Sequence, residues 1–377
     1  MNTNAGYTLY GAEISYFTGK VRAYLRWKGL PFVEVQSNAD IYRTVIVPRV
    51  GFPVIPVVVT PEDETLQDST EIIDALEHRH GEPSVIPAAG VQRLVAALLE
   101  LYGDEWLVIP AMHYRWHHNR DWAMRAFGEL SAPGATPQEQ FAIGNRRAAP
   151  FAQAALLLGA APHMHGAIER SYEDLLGELD RLFAEQPYLL GTRPSVGDFG
   201  LIGPLYAHQY RDPASGELMR RLAPNVVRWV ERMQHPPVHD GPALRGGPHV
   251  PRSGEFLAGD QVPERLLPVL QRMMRELMPV LADSAQRLTT FMAAHPGERV
   301  PRAIGSHAFE LEGQRGERIV RPYSLWMSQR ARDCYRALTP TERERADGLL
   351  DRVGGGGFRD FIDPPRLVRD GMSVALA

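Results

Sequence analysis

The chain has 377 residues. Single cores rarely grow past about 250 residues, so two or three domains are expected. At 44% hydrophobic and 23% charged, with both signs mixed, the composition is that of globular protein and argues against general disorder. A formal net charge of -4 and no dense basic run give no electrostatic footprint for nucleic acid or an anionic membrane. The single cysteine, Cys334, excludes an intramolecular disulfide framework and a cysteine-ligated metal cluster, and fits a reducing compartment. The opening MNTNAGYTLY lacks a basic start and an apolar run, and no later segment stays apolar for the roughly 20 residues of a membrane span. The expected location is cytoplasmic, with no membrane insertion.

In chain order, Tyr7 to Tyr10 reads as a strand. Gly19 to Gly29 has helical spacing through Val21, Leu25 and Trp27, and Phe32 to Val35 returns to a strand pattern. This β-α-β start predicts a parallel strand pair joined by a right-handed crossover. Val57 to Val59 and an extended piece ending at Leu66, separated by Glu62 to Glu64, predict a hairpin. Asp68 or Ser69 then caps a helix with Ile72, Ile73 and Leu76 on one face, ending near Gly81. From Val91 the strand signals fade. Val91 to Leu107, Arg147 to Leu158 and Ile168 to Phe183 carry three- and four-residue apolar spacing, so an all-helical second domain is expected. Residues 235 to 262 are dense in proline and glycine and read as a linker. Beyond them, the pattern predicts one long helix from Pro263 to Met292, a hairpin within Ala308 to Val320, a helix from Leu325 to Leu338 and another from Thr339 to Val353. The run Gly354 to Gly357 reads as a turn, because no lysine and hydroxyl residue follow to make a phosphate cradle. The expected division is 1–82, 90–236 and 237–377.

Three segments carry a family pattern. The first is GFPVIPVVVTPEDETLQDSTEIIDALE (51–77), with an apolar residue before a proline, a strand pair, and an acidic residue plus serine opening a helix. The second is YGAEISYFTGKVRAYLRWKGLPFVEV (10–35), where Ser15 precedes a helix starting Lys20-Val21-Arg22. The third is YLLGTRPSVGDFGLIGPLYAH (188–208), where Ser195 and Asp198 open a buried helix as a capping box; LAPNVVRWVERM fits a late helix, with Pro236 and Pro237 at its end. Over residues 1 to about 236 the chain resembles the cytosolic glutathione transferase superfamily, serine-type-like, with an unusually long C-terminal extension. The fold this implies is α/β plus all-α: a thioredoxin-like glutathione-binding domain, an all-helical transferase domain and a mostly helical extension.

The resemblance implies glutathione as co-substrate and a small hydrophobic electrophile as its partner. Pro56 takes the position of the family's cis proline, which leaves the NH and carbonyl of Ile55 free to pair with the extended tripeptide; the composition alone favours a trans proline at a strand edge. Asp68 and Ser69 match the pair that receives the γ-glutamyl end, where a helix N-terminus meets a carboxylate and Asp68 meets an ammonium. A plain N-cap is the alternative, and Gln67 is a weaker candidate for the same end. Ser15 falls on the position that activates the thiolate by hydrogen bonding to sulfur. Thr18 is the second candidate and Tyr10 the third, and Tyr16 stands where a proline is usual. With no cysteine in this loop, a mixed-disulfide mechanism is not expected. Conjugation is expected instead, or thiolytic ether cleavage or dehalogenation by the same thiolate.

Tyr102, Trp106, His113 and Trp116 are the candidates to bracket the electrophile, with an aromatic helix interface as the other reading. No carboxylate sits at ligand spacing from His113, His117 and His118, or from His163 and His165, so no metal is expected. In the extension, Tyr323, Trp326 and Arg330 either fold back over the cleft or bury a helical face, and the second reading is favoured. The family habit implies a homodimer. The rival to an enzyme is a noncatalytic binding or scaffold protein that uses the extension for interactions.

Overall fold

Four strands, β1 (Tyr7–Gly11), β2 (Phe32–Gln36), β3 (Val57–Val59) and β4 (Thr65–Gln67), lie in the order β2-β1-β3-β4 in the computed structural model, which describes residues 6–235 and 254–377. β1 pairs in parallel with β2, Tyr7 opposite Phe32, and antiparallel with β3, Thr8 opposite Val59. β3 and β4 form the expected hairpin. Val57, Val58 and Val59 are all buried, as suits a central β-branched strand covered on both faces. The crossover helix Tyr16–Lys28 is capped by Ser15, whose side chain accepts the Thr18 N–H, and ends at Gly29 with φ 67°, a left-handed conformation that glycine adopts freely. Val21, Leu25, Ile72, Ile73 and Leu76 are fully buried between this helix, the sheet and the helix Ser69–His80. The fold is therefore a thioredoxin-like mixed sheet with helices.

From Gly90 to Gln234 the described elements are helical, apart from isolated bridges of Gly191 with Tyr188 and with Phe256. The helices Gly90–Glu105 and Val196–Pro204 approach backbone to backbone: a Cβ on Gly103 would lie 2.4 Å from the carbonyl carbon of Gly200. The second helix opens as the capping box predicts, with the Ser195 N–H donating to Asp198 at 2.8 Å. Asp198 also accepts from Leu189 N–H and the Trp229 indole, each at 3.1 Å. Burial pushes its carboxyl up to about 6 in spite of these bonds. Among the described residues no helix is long and apolar enough to cross a membrane.

The extension differs from its expectation in two places. The single long helix is two, Leu267–Glu276 and Met278–Ala294. Pro279 lacks an N–H and would break the ladder of a continuous helix, but fits the first turn of a new one. The second difference is a hairpin of β7 (Leu367–Asp370) and β8 (Ser373–Leu376), which has little alternation to announce it. The other hairpin, β5 (Ser306–Leu311) with β6 (Gln314–Ile319), forms as expected, turning through Glu312 and Gly313 at φ 48° and 73°. The helices Pro322–Arg336 and Pro340–Arg352 follow, and Gly354 turns with φ 69° before the short helix Gly356–Arg359. Most of the expected linker, with Pro236 and Pro237, lies outside the described residues. Gly254–Val262 returns along the helical part, where Glu255 accepts from Thr192 N–H at 2.9 Å.

Candidate functional site

Three parts of the chain enclose a cavity of about 420 Å³, within the range of small-molecule sites. Its floor is the bend Val54–Pro56 and the stretch Gln67–Thr70, where β4 ends and the helix Ser69–His80 begins. One wall is Phe17 with Asp104 and Glu105. The roof belongs to the extension: Pro301–Ala303, Ile319, Arg321, Tyr323, Met327 and Gly371–Val374.

On the floor, the Ile55–Pro56 bond is cis and lies just before the ladder that starts at Val57. Asp68 caps the next helix, its Oδ1 accepting from Thr70 N–H at 3.0 Å and Glu71 N–H at 3.3 Å. Its backbone is in a left-handed region, φ 80° and ψ 126°, unusual for a residue other than glycine and costing on the order of 1–3 kcal/mol. The cap bonds and the ladder on either side hold that conformation. Ile55, Pro56, Gln67, Asp68 and Ser69 are thus brought to one cavity.

Ser15 and Thr18 are not among the cavity's lining residues, although Phe17 between them is. The Ser15 hydroxyl oxygen accepts the Thr18 N–H at 3.3 Å, which leaves its own hydrogen free to donate. Thr18 is fully buried against Gly11, its hydroxyl 3.4 Å from the Ala12 N–H. It packs the turn and does not face the cavity.

Tyr102, Trp106, His113 and Trp116 are buried and none lines this cavity. A buried indole or phenol needs a polar partner. The extension supplies it: Glu276 accepts from Trp106 Nε1 at 2.8 Å and from the Tyr102 hydroxyl at 3.4 Å. Trp106 also meets Phe309 edge-on at 5.9 Å and lies under the Arg318 guanidinium at 5.2 Å. Glu276 is itself held by Arg272 at 3.1 Å and by Ser171 at 3.0 Å. Trp116 packs on Phe127, and His113 bonds to Glu169 at 2.9 Å, outside the cavity.

Further charged and hydroxyl groups meet at the site. Lys20 is fully buried beneath the floor, donating to Asp104 at 2.6 Å, Glu100 at 2.8 Å and Thr70 at 3.0 Å. One lysine faces two carboxylates: burial, with the Glu100 charge adding to it, pushes Asp104 up to about 7. Lys20 and Arg330 hold Glu100 below the usual carboxylate range against the same burial. Glu105 accepts from the Ser324 hydroxyl and lies 3.3 Å from Arg321. The Tyr323 hydroxyl donates to Asp68 Oδ2, and Arg369 donates to Glu71 at 2.7 Å and to the Gln67 carbonyl at 3.1 Å. Of the three fold-back candidates, Tyr323 roofs the cavity, while Arg330 pairs with Asp74 at 2.9 Å and Trp326 lines a separate groove with Cys334. The aromatic and arginine-rich run around Tyr323 was the one signal for a roof, and nothing in the residues around Arg369 marked the second contact.

Residues 9–84 match the family described as glutathione S-transferase, N-terminal domain, and residues 151–232 match glutathione S-transferase, C-terminal domain. These two segments, together less than half of the chain, are what it shares with the glutathione S-transferase family. Solved structures similar to this chain include a glutathione S-transferase from Rhodospirillum rubrum, 16% identical over 68% of this chain and 96% of that one, with a TM-score of 0.39. A β-etherase from Sphingobium sp. is 18% identical over 62% of this chain and 96% of its own, TM-score 0.46. A glutathione S-transferase from Methylobacterium radiotolerans, solved with glutathione sulfonate, is 23% identical over 61% of this chain and 91% of that one, TM-score 0.38. Among curated proteins, none matches the chain.

Proposed function

We propose that this chain is a glutathione-dependent transferase whose cavity holds the tripeptide along Ile55, with the γ-glutamyl end at Asp68 and Ser69. The observation that carries the reading is one cavity containing both the Ile55–Pro56 bend and the Asp68-capped helix start. An extended peptide passing the bend finds unladdered backbone, and its zwitterionic end finds a carboxylate beside helix N–H groups. Ser15 is proposed to donate its free hydroxyl hydrogen to the ligand's sulfur once that sulfur reaches the start of the helix Tyr16–Lys28. The thiolate so favoured attacks a small apolar electrophile, by conjugation or by ether cleavage or dehalogenation. Phe17, Ile319, Met327 and Val374 give the apolar surface for that second substrate, in place of Tyr102, Trp106, His113 and Trp116. A homodimer in the cytoplasm belongs to the same proposal.

A second reading is favoured by the Tyr323 contact. A hydroxyl from the extension already sits on Asp68, the carboxylate intended for the ligand's ammonium. In this reading the fold is kept as a noncatalytic binding or scaffold protein, with the extension closing the site. Calorimetry with glutathione and a conjugation assay with an aryl halide separate the two. Binding with turnover that drops at least tenfold in Ser15→Ala, at little change in affinity, supports the enzyme and its hydroxyl. Binding without turnover supports the module, and no binding by either wild type or Tyr323→Phe contradicts the cavity assignment.

A further inference from the structure

Outside the cavity, four histidines and a glutamate converge on one spot. His113, His117 and His118 come from the segment in which the helix Val108–His113 passes into the π-helical turn Tyr114–His118. His165 and Glu169 stand one turn apart at the start of the helix His165–Glu185. Residues four apart on a helix share a face, so each helix presents a pair, His113 with His117 and His165 with Glu169. The facing rings are close: centroids are 4.4 Å apart for His113 and His165, and 4.2 Å for His117 and His165.

Two details set this group apart from histidines that merely face solvent. Glu169 Oε1 receives the Nε2 atoms of both His113, at 2.9 Å, and His118, at 2.7 Å, so two imidazoles aim at one oxygen. His113 is only 1% exposed, and its Nδ1 is buried without a hydrogen-bond partner among the described residues. The two ring nitrogens diverge, so burial fixes the direction of the Nε2 that meets Glu169, and the Nδ1 is not a donor to this spot. The donor atoms of His113, His118 and Glu169 all lie within 4.8 Å of one another. A tetrahedral zinc site with bonds of about 2.0–2.2 Å has donor-to-donor edges of about 3.4 Å, so the two nitrogen–oxygen distances of 2.9 and 2.7 Å would open slightly to admit the ion, a movement of the two more exposed side chains, His118 and Glu169.

We propose that His113, His118 and Glu169 bind a divalent cation of the zinc class, with water completing its coordination. Imidazole nitrogen with one carboxylate oxygen suits Zn²⁺, Ni²⁺ or Cu²⁺ and is a poor match for Mg²⁺ or Ca²⁺, which take oxygen ligands. Glu169 lies four residues beyond His165, and the fold brings both to His113. Arg115, between two of the ligands, donates to the Ile14 carbonyl at 2.8 Å and to Asp212 at 2.8 Å. The cation therefore clamps the helix turn whose arginine holds the loop next to Ser15. The claim is independent of the glutathione reading, since none of these residues lines the cavity.

The test is a titration of the chelator-treated full chain with Zn²⁺ by calorimetry, with Co²⁺ as a visible-absorption probe. Expected are one Zn²⁺ per chain, a raised Tm on its addition, and d–d absorption of a nitrogen- and oxygen-ligated Co²⁺. His118→Ala and Glu169→Gln should each weaken binding at least tenfold and abolish the Zn²⁺-dependent rise in Tm. His118 and Glu169 are 36% and 33% exposed, so both variants should fold, and their Tm without metal checks this. Equal Zn²⁺ uptake by wild type and the His118→Ala/Glu169→Gln double variant, or no uptake by wild type, would overturn the proposal.

Discussion

The floor of the cavity, from Val54 to Thr70, is held by bonds between near neighbours, such as the Asp68 cap on Thr70 and Glu71 and the β3–β4 ladder. Its roof is held by side chains reaching from far along the chain: Tyr323 meets Asp68 across 255 positions and Arg369 meets Glu71 across 298. Local bonds fix a backbone shape whatever else docks on it. Remote bonds need the whole extension seated first, and that seating depends on a few buried charges. The difference separates what should destroy the roof from what should only alter the floor.

The largest effect is expected at the root of the roof. Glu276 joins Trp106, Tyr102, Ser171 and Arg272, all buried. Glu276→Ala removes the acceptor of the Trp106 indole and the Ser171 hydroxyl, while Arg272 keeps Glu178 at 2.9 Å and Glu312 at 3.1 Å, so each stranded buried donor costs about 1–3 kcal/mol. Urea denaturation reads it, and a change below 1 kcal/mol (about one exposed ion pair) would show that the extension does not depend on this joint. Lys20→Met beneath the floor should rank close behind, because Glu100 and Asp104 then share a buried site without their ammonium. Its unfolding curve should show the sheet and the helical part separating before the extension does.

At the meeting of floor and roof, Tyr323→Phe removes one hydroxyl donor to a carboxylate. Hydrogen bonds to charged groups contribute about 1.5–3 kcal/mol, so the variant should release Asp68 and strengthen glutathione binding roughly tenfold, measured by calorimetry. Asp68→Ala should lose about 1 kcal/mol of stability through its helix cap and most of the glutathione affinity. Weaker binding in Tyr323→Phe would mean that the hydroxyl serves the ligand and does not compete with it.

The smallest effect is a slope. Asp104 is raised from 3.8 unfolded to about 7 folded, so the folded protein holds its proton more tightly. That contribution is greatest at low pH and is lost as pH rises through the window between those two values. Asp104→Asn should flatten the fall of Tm between about pH 5 and 7, and an unchanged profile would place the titration elsewhere.

The floor was legible because its parts are short-range. A proline after an apolar residue, a β-branched triplet and an acidic-serine pair are neighbours in sequence, and each does locally what its residue type favours. The helical spans were legible from their spacing, and Ser195 with Asp198 from their three-residue separation. The sequence offered the hydroxyls of Ser15 and Thr18 alike, and nothing in it shows that Ser15 caps the helix or that the Thr18 methyl fills the space left by Gly11. The aromatic run at 102–116 looked like a ligand pocket because buried tryptophan and tyrosine look the same whether a ligand or another helix covers them. What covers them here is Glu276 and Phe309, from a part of the chain with no local signal for that partnership. The cluster around Glu169 was missed for the same reason: its members lie on two helices that only the fold brings together.

The most direct test is a crystal structure of the full chain soaked with glutathione. The tripeptide should pair with the Ile55 backbone, place its γ-glutamyl ammonium against Asp68 with Tyr323 displaced from that carboxylate, and bring its sulfur to Ser15. Glutathione found elsewhere on the molecule, or an unliganded cavity with Tyr323 still on Asp68 at saturating glutathione, would contradict the account.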